Sequence, residues 1–153
     1  MYKKILVPLD GSKVAENALE HLRAIAQGRS IYTVLLIRVV EPIIVGVKDI
    51  IGAEHIRAAE DKLEADARKY LKKVAANLKK EGLNVETELV VDGYAATKIL
   101  EVARDKNVDL IIMSTHGSSG FPHWVFGSVT HRVLIHSSVP VLLVVPKGSK
   151  RYQ

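Results

Sequence analysis

The stretch STHGSSGFPHWVFGSVTHRV, residues 114–133, gathers small and hydrogen-bonding side chains after an apolar run and before a helix-like pattern. It holds Gly117, Gly120 and Gly127, three of the chain's ten glycines, together with its only tryptophan. Glycines at such a place let the backbone run close to a ligand with no Cβ in the way. Gly127-Ser128 then opens a helix whose free N–H groups and positive dipole end favour an anion such as a phosphate. A second chemical group is Asp10 in VPLDGS, residues 7–12, where Pro8 stiffens a strand exit and the carboxylate follows it. A long turn with no ligand uses the same residue types, so the elements that hold both stretches decide between the two readings.

Those elements are legible as alternating periods. Five apolar runs read as strands: ILVPL (5–9), IYTVLLIRVV (31–40), VETELVV (85–91), VDLIIM (108–113) and VPVLLVV (139–145). Four are rich in Val, Ile and Leu with little alternation, as strands buried on both faces of a parallel sheet are. VETELVV alternates, which predicts an edge strand with one wetter face. Between them, residues 13–27 repeat at Val14, Ala18, Leu22 and Ala26, with Ala15 and Leu19 widening the stripe. Asp10, Gly11 and Ser12 offer a turn and an N-cap before this helix. Residues 54–81 carry Ile56, Ala59, Leu63, Ala67, Leu71, Val74 and Leu78 as one face, with Gly82 as the stop. Residues 95–106 place Ala96, Ile99, Leu100 and Ala103 on a face, and 128–137 place Val129, Val133 and Leu134. The segment 41–52 fits neither period and reads as a loop or the approach to the long helix. Strand and helix therefore alternate throughout, which defines an α/β chain with a parallel sheet. Ligands of such sheets bind outside the carboxyl ends of the strands, where both chemical stretches fall.

Several chemistries are excluded. With no cysteine, the chain has no disulfide framework, thiolate zinc site or cysteine nucleophile. There is no GxxxxGK[ST] and no GxGxxG after the first strand. GSSGF lacks the last glycine of a GxSxG elbow, so Ser119 is a poor nucleophile. The six histidines show no metal spacing: His131 and His136 are five apart and no HExxH occurs. His116 alone stands at a strand end beside the glycine-rich stretch, where it either packs the loop or touches a ligand. The 153 residues suit one domain, and 22 Lys+Arg against 17 Asp+Glu give a net charge of +5. The basic residues are dispersed, so specific nucleic-acid binding is not expected. No signal-peptide pattern opens the chain and no run is long enough for a membrane span, which predicts a cytoplasmic protein.

Taken together, these motifs resemble the universal stress protein family over residues 2 to about 146. KKILVPLDGS is similar to that family's opening strand and loop, LLIRVVEP to its second strand, IIMSTHG to its fourth and VPVLLV to its last. Nucleotide-binding members carry Gly-x2-Gly-x9-Gly-(Ser/Thr). Here Gly117, Gly127 and Ser128 keep that spacing, and Ser114 stands at the first glycine. If that position needs a positive φ or very close ligand approach, a Cβ is costly; if it needs only a small residue, the hydroxyl adds a hydrogen bond.

The resemblance implies a single Rossmann-like open sheet of five parallel strands in the order 3-2-1-4-5, with helices on both faces. The domain would run over residues 1–147, with 148–153 a short basic tail. It further implies that ATP, or the related AMP or ADP, lies across strands one and four, with magnesium on the phosphates. Pro8, Leu9, Asp10 and Val39 would surround adenine and ribose, and Met113 would help line the pocket. Ser114, Gly117, Gly127, Ser128 and Val129 would hold ribose and phosphates, with His116 beside them. The function expected is a nucleotide-dependent stress-response module, not an enzyme, because residues 114–131 include no Lys or Arg to stabilise phosphoryl transfer. A slow ATPase or nucleotidyl-transfer enzyme and a ligand-free structural dimer module are the alternatives. VPVLLVV has no charge to blunt a sheet edge, which predicts a homodimer paired through this last strand.

Overall fold

The computed structural model describes residues 2–27, 33–43, 52–116 and 126–146. Strands β1 (Lys4–Pro8), β2 (Thr33–Val40), β3 (Val85–Val91), β4 (Leu110–Ser114) and β5 (Val141–Val144) form one sheet in the order β3-β2-β1-β4-β5. Every neighbouring pair is parallel, as the sequence periods and the family resemblance both lead one to expect. Helices α1 (Asn17–Ala26), α2 (Ala53–Lys80), α3 (Ala95–Asp105) and α4 (Ser128–His136) cover both faces.

The continuous apolar runs arise because successive side chains enter different cores. Ile5 and Val7 of β1 join Val34, Leu36 and Ile112 beneath α1 and α2. Leu6 joins Leu35, Ile37, Ile111 and Met113 beneath α3 and α4. β3 is an edge strand, with Glu86 and Thr87 exposed. At the opposite margin of the sheet stands β5.

Local chemistry sets the helix ends. The Ala15 amide donates to Ser12 Oγ at 3.1 Å, so Ser12 caps a turn as its sequence position predicts. Regular α1 starts later, at Asn17, because bonds from Asn17 to Val14 and from Ala18 to Ala15 tighten the entry into a 3₁₀-like turn. Helix α2 stops at Gly82, whose φ is 88°. Gly82 N–H donates to the Lys79 carbonyl and Leu83 N–H to that of Leu78, the two bonds of a Schellman motif. Helix α3 closes in the same way on Asn107, at φ 52°.

Two core assignments are corrected. Ala59 and Leu63 lie on the expected inner stripe of α2 yet are exposed, Leu63 by 42%. A helix of 28 residues is about 42 Å long, whereas the eight residues of β2 span about 26 Å, so α2 overruns the sheet. Its buried residues are Ile56 and then Ala67, Leu71, Val74, Ala75 and Leu78, so Ala59 and Leu63 fall in an exposed stretch between the two. Leu134 of α4 is likewise 40% exposed, because Val133 turns toward the sheet and no described element lies beyond β5. Among the described residues, no helix is long and apolar enough to cross a membrane.

Arg23 joins α1 to the end of α2 through two bonds to Glu81, Nε to Oε2 at 2.6 Å and Nη2 to Oε1 at 2.9 Å. The hydrogen bond from Arg23 holds the Glu81 carboxyl below its ordinary value of 4.5. A depressed carboxyl stabilises the fold above the ordinary value and loses that contribution as pH falls through the lowered one. Arg23→Ala is therefore expected to cost up to about 1 kcal/mol near neutral pH, as an exposed pair does. Urea denaturation should show the difference shrinking in high salt and closing in acid below the Glu81 titration.

Candidate functional site

A cleft of about 280 Å³ opens at the carboxyl ends of β1, β2 and β4. The chain crosses from one side of the sheet to the other there, and strand-end loops separate to leave a crevice. Pro8, Leu9 and Asp10 line it at the end of β1, and Val39 and Met113 line it from β2 and β4. Ser114, His116, Gly127, Ser128 and Val129 complete the β4–α4 side. The fold thus brings together every proposed site residue that it describes; Gly117 lies outside the described residues.

The β1 loop is held by its own polar groups. Leu9 N–H donates to the Ile37 carbonyl at 2.9 Å, and Ser12 N–H donates to Asp10 Oδ1 at 2.9 Å. Gly11 between them has φ 89°, a left-handed conformation that suits glycine. This turn keeps Asp10 at the strand end, exposed at the mouth of the cleft.

On the other side, Gly127 N–H donates to the Thr115 carbonyl at 3.1 Å, and Thr130 Oγ1 donates to the Ser114 carbonyl at 3.1 Å. These bonds fix the start of α4 against the end of β4. Among the described residues no side chain caps α4, whose N-cap is Gly127, and its first residues Ser128 and Val129 line the cleft. Gly127 has φ −51° and ψ 151°, which any residue adopts. A Cβ built there would meet only the Thr115 carbonyl oxygen, at 3.8 Å. Among the described residues nothing requires this glycine, which lines the cleft.

Ser114 is the last residue of β4 and does not have a positive φ, so the backbone there does not demand glycine. The residue is 5% exposed, and its Oγ has no hydrogen-bond partner among the described residues. His116 is half-buried, with Nδ1 3.0 Å from Thr115 Oγ1 and Nε2 buried without a described partner.

Two features escaped the sequence reading. Ile37 and Ile99 extend the wall begun by Val39 and Met113 into an apolar slot. At its mouth, Glu41 Oε1 accepts the Ala95 amide at 2.8 Å and so caps α3 from another segment. The available signal was negative: Tyr94, at the N-cap, has no side chain suited to capping. Among the described residues, the cleft lining contains two carboxylates, Asp10 and Glu41, and no Lys or Arg. Among the described residues, no group of three His, Asp or Glu side chains could hold a metal ion.

An open parallel sheet in the order β3-β2-β1-β4-β5, with its cleft at the reversal of strand order, defines a Rossmann-like α/β fold. The chain belongs to the universal stress protein family, whose sequence profile matches residues 1–145. It is similar to the universal stress protein MJ0577 of Methanocaldococcus jannaschii, at 32% identity over 97% of this chain and 98% of that protein. The solved structure of MJ0577 superposes with a TM-score of 0.85 at 34% identity, covering 97% of this chain and 99% of the other. A universal stress protein in complex with cAMP shares the fold at a TM-score of 0.68 and 22% identity, over 94% of this chain and 97% of its own. A family protein of Arabidopsis thaliana with AMP bound does so at 0.69 and 16% identity, over 95% and 93%.

The Glu41 cap has a measurable consequence. Glu41→Ala leaves the Ala95 amide without its carboxylate and is expected to destabilise the fold by about 1 kcal/mol, as lost caps do. Glu41→Gln keeps an acceptor oxygen and should lose less. Chemical denaturation gives the cost, and faster hydrogen exchange at Ala95 in the alanine variant locates it.

Proposed function

We propose that the cleft binds ATP or a related adenine nucleotide, AMP or ADP, and that the protein is a cytoplasmic, nucleotide-dependent stress-response module. The observation that carries this reading is the pairing of a buried, unpartnered Ser114 Oγ with the uncapped start of α4, where Gly127 leaves room for a group larger than a methyl. A phosphate completes both, since it accepts hydrogen bonds from backbone N–H groups and from a hydroxyl. The base belongs in the slot of Ile37, Val39, Ile99 and Met113, and ribose hydroxyls fall to the Asp10 carboxylate. A volume of about 280 Å³ suits the nucleoside, with the phosphates running out along Ser128 and Val129. The nucleotides held by two proteins of this fold support the same ligand class.

Binding is favoured over turnover by the lining itself. Phosphoryl transfer needs cationic groups placed on the transferring phosphate, and no Lys or Arg lines the cleft. The phosphates carry their own magnesium in this reading, with Asp10 the nearest carboxylate to it.

The proposed assembly is a homodimer through β5. This strand ends one side of the sheet, and Ile135 and Val145 beside it are 59% and 55% exposed. Antiparallel pairing with a second copy would satisfy the free backbone groups and cover those side chains. Pro140 and Pro146 confine the ladder to the residues between them. The domain is taken as residues 1–147, with 148–153 as a basic tail.

Isothermal titration calorimetry tests the ligand. Micromolar to submillimolar ATP affinity is expected, and Gly127→Val should abolish it while the variant keeps its fold. Asp10→Ala should weaken adenosine and ATP alike, by roughly 1–3 kcal/mol for a lost charged hydrogen bond. Equal affinity of wild type and Gly127→Val would remove the cradle, and sustained hydrolysis on the order of 1 s⁻¹ would make the protein an enzyme.

Light scattering tests the assembly. The wild type is expected at twice its 16.9 kDa chain mass, with Leu143→Lys shifted toward monomer. A monomeric wild type at tens of micromolar would dismiss the β5 interface.

A further inference from the structure

Arg38 is an unusual residue for its place. Along β2, Val34 and Leu36 enter the core beneath α1 and α2, and Arg38 continues that row at the strand's carboxyl end. Its neighbours Ile37 and Val39 line the cleft, whereas Arg38 does not. The guanidinium lies over the ring of Tyr70 from α2, with Cζ 5.3 Å from the ring centre. The guanidinium also lies against Gly11. A Cβ at Gly11 would fall 2.9 Å from Nη1, 3.1 Å from Cζ and 3.2 Å from Nη2.

The Tyr70 ring is itself fixed. Its hydroxyl donates to Glu16 Oε1 at 3.1 Å, and Glu16 Oε2 meets Lys13 Nζ at 3.2 Å. Burial, and then the Glu16 charge, push the phenol well above its usual range, so it remains a donor. A chain of contacts thus runs from α2 through Tyr70 and Arg38 to the turn that carries Asp10. Gly11 satisfies two demands at once, its positive φ and the flat approach of the guanidinium.

We infer that Arg38 is a positioning residue for the Asp10 turn: in contact with both the Tyr70 ring and Gly11, it sets the direction of a carboxylate it does not share a cleft with. The effect on ligand rests on the adenine-nucleotide reading, but the effect on the turn does not. Arg38→Met keeps the length and apolar stem while removing the planar cation.

Calorimetry with adenosine and, separately, inorganic tripolyphosphate provides the first readout. Arg38→Met is expected to weaken adenosine by about 3- to 10-fold, in the lower part of the range over which contacting groups couple, and to leave tripolyphosphate unchanged. Combined with Asp10→Ala, it should add nothing to the loss caused by Asp10→Ala alone. The second readout is hydrogen exchange at the Ser12 amide, which donates to Asp10 Oδ1. That exchange should accelerate in Arg38→Met and in Tyr70→Leu, two variants that break the chain of contacts from different elements. Unchanged Ser12 exchange in both, or fully additive losses with Asp10→Ala, would overturn the assignment. If the wild type binds no adenosine, the ligand reading fails, and Ser12 exchange still decides the role of Arg38.

Discussion

β1 and β4 lie side by side with Ile5 to Val7 and Leu110 to Ser114 buried, and this two-sided burial governs the rest of the fold. A strand covered on both faces has no surface on which to display polar chemistry. Backbone groups that the ladder does not use, and the side chains that satisfy them, are therefore displaced to the strand ends. At the amino end the displaced groups are structural. Asp109 Oδ2 accepts the amides of Lys3 and Lys4, and Asp109 N–H returns a bond to the Lys4 carbonyl, locking β1 beside β4. At the carboxyl end they surround a cleft.

Two helices begin at that cleft, and the chain treats them oppositely. The start of α3 is already occupied by the carboxylate of Glu41. The start of α4 is not capped by any side chain among the described residues. Both helix starts favour negative charge, but one has been neutralised from within the protein. An anionic group entering the cleft is thus attracted to the α4 side and repelled from the α3 side. In the proposed complex this asymmetry gives the nucleotide its direction without a single cationic side chain in the lining. The base then faces the apolar slot because its phosphates have only one favourable destination.

What the sequence made legible follows from the range of each interaction. Strand runs and helix stops depend on residues close in sequence, so the buried strands, the Ser12 cap and the Gly82 stop could be read directly. The strand-end location of the chemistry also follows, because parallel order forces it. Ala59, Leu63 and Leu134 defeated the periodicity because a helical stripe reports angular position and nothing about where the partner sheet ends. Glu41 and Arg38 were missed for a different reason. Glu41 caps a helix 54 residues away, and Arg38 stacks on Tyr70 from another element and rests on Gly11 from a third. Neither residue type announces such a role in an apolar strand or a loop.

Ser114 brings these lines together. A glycine is commonly explained by a backbone that needs it, yet β4 runs to its end without a positive φ at this residue. The serine therefore costs nothing in conformation. Its cost lies in the hydroxyl, which is buried with no described partner and so forgoes the hydrogen bonds it would make in water. Such a group destabilises a fold by about 1–3 kcal/mol when left unsatisfied. Replacing it by alanine would remove that penalty without straining the strand, so the packed protein alone offers no reason to keep the oxygen. A ligand whose oxygens reach both Ser114 Oγ and the open amides of α4 supplies one. The same reading accounts for Gly127, whose backbone does not require a glycine either: both positions line one cleft, and in the proposed complex each is shaped for the nucleotide.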